Sequence, residues 1–70
     1  LIQEAIDELP PSYHQAFAMH RFQNKTRQEI AEALQVSIKT VDYRIQQSLK
    51  ILRERLKDYL PILVIYGFML

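Results

Sequence analysis

Thr26 is followed three residues later by Glu29, and Ser37 stands just ahead of a stripe of Val41, Ile45, Leu49, Leu52 and Leu56 at three- and four-residue spacing. The first pattern is a capping box: a hydroxyl caps the N3 amide while the N3 carboxylate reaches back to the cap's own N–H. The second is an N-cap followed by the buried face of a long amphipathic helix. A short helix is therefore expected from Arg27, burying Ile30, Ala31 and Leu34. Val36 plugs the corner, and a longer helix begins at Ile38 and runs to about Leu60. The chain as a whole reads as all-helical with short turns, and no repeat or low-complexity segment interrupts it.

The rest of the chain fits around that unit. Leu1, Ala5, Ile6 and Leu9 line a first short helix, which Pro10 and Pro11 must stop, because proline disfavours helical geometry in the residue before it. The same prolines can open a second helix, running to about Phe22 and burying Tyr13, Ala16, Phe17 and Phe22, before Gln23, Asn24 and Lys25 turn the chain. The expected fold is all-α, a small four-helix domain containing a helix-turn-helix and a long C-terminal helix, over residues 1–60. Seventy residues without a cysteine exclude disulfide staples, so helix packing alone must supply the core. A chain that starts inside a helical pattern reads as the C-terminal domain of a longer protein. The lack of cysteine fits a reducing cytoplasm.

Facing away from the stripe near the start of the last helix are Lys39, Thr40, Asp42, Tyr43, Gln46 and Gln47, a set able to meet base edges in a major groove. Gln bonds adenine bidentately, Lys favours guanine acceptors, and a Tyr ring can lie on a thymine methyl. Charge agrees: residues 37 to 60 carry six basic and three acidic side chains, whereas the first 36 carry three basic and five acidic. A net charge of +1 is low for an independent high-affinity DNA binder, because phosphate contacts supply most sequence-independent affinity. The domain is expected to bind weakly alone and to act within a larger assembly.

Leu9-Pro10, Tyr13, Ala16-Phe17, Met19 and Phe22, then Thr26, Glu29-Ile30-Ala31, Leu34, Val36-Ser37, Thr40-Val41 and Ile45, resemble region 4 of bacterial sigma factors, particularly the extracytoplasmic-function group, over roughly residues 3 to 58. That resemblance implies a specificity adaptor for RNA polymerase that reads the −35 promoter element. Carried over by position, Lys39, Asp42, Tyr43, Gln46 and Gln47 would contact bases, and Thr26, Arg27, Arg44 and Lys50 would contact phosphates. Tyr13, Phe17 and Phe22 would meet the flap of the polymerase β subunit. The sequence departs from the family at Asn24 and Gln35, where glycine is usual and a left-handed backbone is expected. It departs again at Arg27, where the family often has an aromatic residue. Two alternatives share parts of the pattern: a response-regulator DNA-binding domain resembling the LuxR group, and a helical protein-interaction module that does not bind DNA.

Residues 61–70 are uncharged and almost wholly apolar, yet too few to cross a bilayer, which takes about 20 residues. Such a tail is expected to pack on the domain, to pair with a second copy, or to engage a partner such as an anti-sigma factor. No enzyme is expected. His14 and His20, six positions apart, cannot chelate one metal as an i, i+4 pair could. The chain also lacks a glycine-rich phosphate loop, a nucleophile elbow or a clustered carboxylate pair, so no cofactor is implied.

Overall fold

The computed structural model describes residues 2–57, so the expectations for Leu1 and for the tail at 61–70 lie outside the described residues. The described elements are four helices: α1 (Ile2–Asp7), α2 (Pro11–Arg21), α3 (Arg27–Leu34) and α4 (Ile38–Arg55). Pro11 occupies the first turn of α2, where its missing N–H costs nothing and its fixed φ is already helical.

The helix-turn-helix forms as its caps dictate. Thr26 Oγ1 accepts from the Glu29 amide at 3.1 Å, and the Thr26 amide donates to Glu29 Oε1 at 2.8 Å, which completes the capping box. Donation to the carboxylate, first from the Thr26 amide and then from the Thr26 hydroxyl, holds the Glu29 carboxyl below the usual glutamate range, since each bond is stronger to the ionised form. Ser37 Oγ accepts from the Thr40 amide at 3.1 Å and so caps α4.

Between them Gln35 adopts the left-handed conformation, φ 57° and ψ 47°. Its amide reaches the Glu32 carbonyl, and the next amide, Val36, reaches Ala31 O at 3.0 Å. That double closure is a Schellman motif, with Val36 packed in the same apolar cluster as Ala31. Asn24 takes φ 56° after α2, and beyond it the Lys25 amide returns to Met19 O at 3.1 Å. A side chain in this region crowds its own backbone, and Gln tolerates that less well than Asn. Gln35→Gly is therefore expected to be neutral or stabilising by some tenths to about 1 kcal/mol, relief of crowding being partly offset by a more flexible unfolded chain. A lower thermal midpoint for the variant would contradict this.

The core lies along α4 in two clusters. Nearer its C-terminal end, Leu52 and Leu56 pack with Phe17 of α2 and with Ala5, Ile6 and Leu9. Nearer its start, Val41 and Ile45 pack with Ala16 of α2 and with Ile30 and Ala31 of α3. Leu49, half-buried, touches both clusters and joins them.

Several expectations need correction. Helix α4 ends at Arg55 rather than near Leu60: Leu56 leaves helical geometry at φ −113°, ψ 23° and buries its side chain beside α1, while Arg55 pairs with Glu8. Residues 58 to 60 lie outside the described residues. Helix α1 stops at Asp7, and Leu9 enters the core from the link to α2. Phe22, expected inside, is 56% exposed, because as the C-cap residue of α2 it lies where the chain turns away, its ring meeting Phe17 in a T-shaped contact with centroids 6.2 Å apart. Tyr13 is only half-buried. Ser48, a polar residue absent from the expected buried stripe, is fully buried.

Candidate nucleic-acid interface

Ser48 shows how α4 is held while its outer face stays open. Its hydroxyl lies 2.7 Å from Arg44 O and 3.2 Å from Tyr13 O, so a small polar side chain lets the α2 backbone approach α4 and satisfies its own group there. A larger residue at 48 would push the helices apart. With 41, 45, 48 and 52 in contact with the core, the opposite side of α4 carries Lys39, Tyr43, Gln46 and Lys50, all exposed. Gln47 and Arg44 sit half-buried on one flank, with Thr40 beside them.

Tyr43 does not stand alone. Its ring meets Tyr13 edge-on, centroids 6.3 Å apart and planes at 78°, and a hydrogen bond with Tyr43, reinforced by desolvation, holds the Tyr13 phenol above its usual range. A ring braced in this way presents its outer face in one orientation at little entropic cost.

Asp42 projects from the other flank. Arg27 Nε donates to its Oδ1, which links the first turn of α3 to the second turn of α4. Two residues carried over to different roles, phosphate and base contact, thus meet each other. Beside this pair is a cleft of about 270 Å³ with Phe17, Ile45 and Leu49 as apolar lining and His20, Arg27 and Gln46 among its polar groups. Burial holds the His20 imidazole below its usual range, Arg27 and Arg21 push it the same way, and Asp42 opposes them. Thr26, at the head of α3, is engaged with Glu29 through both its amide and its hydroxyl, so it reaches the outer surface already held by the capping box.

The three aromatics expected at a partner surface separate. Phe17 is core, 2% exposed; Tyr13 leans on Tyr43; only Phe22 is presented outward. Position alone could have revealed Ser48, which fills a stripe register, whereas the Arg27–Asp42 pair joins residues too far apart in sequence for any local pattern to expose. Among the described residues no three His, Cys, Asp or Glu side chains cluster as metal ligands, and no described helix is long and apolar enough to cross a membrane.

The arrangement, a capped helix packed by one face with a polar and basic face left open, suits insertion in a DNA major groove. The family model described as sigma-70, region 4 matches residues 1–52. No curated protein matches the chain. No solved structure does either.

Proposed function

This chain belongs to the sigma-70 region 4 family, so it binds promoter DNA as part of a sigma factor in transcription initiation, and from that premise we propose that α4 reads the −35 element while α1 to α3 dock on the β flap of RNA polymerase. Membership takes the place of the response-regulator and interaction-module alternatives, and the family is a DNA-binding regulatory module rather than a known enzyme family. The observation that supports α4 as the reader is its open face of Lys39, Tyr43, Gln46 and Lys50, opposite a stripe committed to the core. Gln46 and Lys39 supply the bidentate and acceptor-seeking groups, and Tyr43 offers a braced ring for a thymine methyl. Thr26, Arg44 and Lys50 hold phosphates and set the helix in register.

On the polymerase side, Phe22 is the aromatic anchor of the flap contact, because Phe17 supports it from below and Tyr13 belongs to the DNA side through Tyr43. The pattern of residues fits the extracytoplasmic-function group, and such a factor works in the cytoplasm. Isotope-labelled chain titrated with an isolated β-flap fragment tests this reading. Amide shifts concentrated at α1 to α3 and around Phe22 are expected, with Lys39 to Lys50 still responsive to a promoter duplex added afterwards. A flap fragment that perturbs α4 instead, or nothing at all, would refute the assignment of faces.

A further inference from the structure

Asp42 is the only acidic residue in the first three turns of α4, on the helix that must approach a polyanion. A carboxylate there is poorly placed to gain affinity: it repels phosphates and, as an acceptor only, finds donors in the major groove only at the amino groups of cytosine and adenine. The structure shows another use for it. Asp42 is paired with Arg27 across the helix-turn-helix, and the two side chains remain 40% and 53% exposed, Arg27 and Asp42 respectively. An ion pair so exposed favours the closed arrangement by at most about fivefold. A phosphate offers the guanidinium a charge-assisted and geometrically matched partner of at least equal strength, so the pair is readily exchanged. His20, beside both groups, already feels Arg27 and Asp42 in opposite senses, so the pair sits within one shared electrostatic cluster at the edge of the cleft.

We propose that Asp42 is an internal competitor for DNA phosphate: it holds Arg27 in the unbound chain and yields it when DNA arrives, lowering sequence-independent affinity instead of reading a base. This rests on the reading of Arg27 as a phosphate contact, and it removes Asp42 from the base-reading set. The consequence is discrimination by restraint. Weak binding to arbitrary DNA leaves the base contacts of α4 to decide where the assembly settles.

The test is binding of the full chain to a fluorescent duplex of random sequence, for the parent, Asp42→Asn, Arg27→Ala and the double variant, each first shown by its thermal melt to be folded. Asp42→Ser serves as a second probe should the asparagine variant fail to fold. Asp42→Asn is expected to tighten binding by up to about fivefold, and by clearly less when Arg27 is already alanine. Arg27→Ala is expected to weaken binding and to reduce the slope of log affinity against log salt by about 1. Weaker or unchanged binding by Asp42→Asn would overturn the proposal, and so would an equal gain with and without Arg27, which would reflect removal of a negative charge and nothing more. If Arg27→Ala leaves both affinity and salt slope unchanged, the phosphate contact fails and the proposal with it, while promoter reading by α4 stands.

Discussion

Phe17→Ala is expected to leave most of the chain unfolded at room temperature. The ring is 2% exposed and sits where α1, α2 and the far half of α4 meet, against Ile6, Leu9 and Leu52. Truncating a buried phenylalanine costs about 3 to 5 kcal/mol. A single core of this size supplies a net stability of roughly the same amount, 3 to 5 kcal/mol, so one substitution removes nearly all of it. Helical signal in the far-ultraviolet, followed against temperature and urea, reads the result. Phe22→Ala is the control: its ring is exposed and meets Phe17 in an edge-to-face contact, so a loss below about 1 kcal/mol is expected. A cooperative melt for Phe17→Ala with a midpoint near that of the parent would show that the two clusters along α4 stand independently.

These two phenylalanines also mark where the sequence stopped being informative. Both lie on the helical pattern of α2 and read alike from their letters, yet Phe17 is in the middle of the helix and Phe22 is its last, capping residue, where the chain is already turning away from the core. Helix ends are local events, and those with side-chain caps were legible: Thr26 with Glu29, and Ser37, form the bonds their spacing demands. The left-handed turn at Gln35 was legible only through the resemblance, which places glycine there, and the turn is left-handed as that implied. The end of α4 was not. No cap residue or glycine marks Leu56, and the contacts that the described residues make there, Leu56 in the α1 cluster and the Arg55–Glu8 pair, are both with a distant part of the chain.

The open face of α4 was likewise legible as a face and only partly as a site. Periodicity separates Lys39, Tyr43, Gln46 and Lys50 from the core because outward position depends only on the helical repeat. It cannot show that Asp42 is occupied by Arg27 or that Tyr43 is braced by Tyr13, since each depends on where α2 or α3 crosses α4. Asp42 and Tyr43 are thus positioned by partners on other helices, whereas Lys39, Gln46 and Lys50 owe their outward position to the helical repeat.

Gln46→Ala follows from that distinction and carries the largest expected effect on recognition. Gln46 is exposed, close to the centre of the outer face, and lines the same cleft as Arg27. A bidentate amide contact to one base contributes about 1 to 3 kcal/mol of discrimination, equivalent to roughly 5- to 150-fold in relative affinity. Selection of binding sites from a randomised duplex library by the assembled RNA polymerase should show the variant losing preference at one base pair and keeping it elsewhere. Lys50→Ala, one turn further on the same face, should weaken binding to every sequence by a similar factor and leave the preferred site unchanged, as loss of a phosphate contact does. The contrast between the two variants is the decisive reading. If Gln46→Ala weakened all sequences equally, α4 would be touching the DNA backbone with the residues assigned here to its bases, and the helix would have to be rotated about its axis relative to the groove.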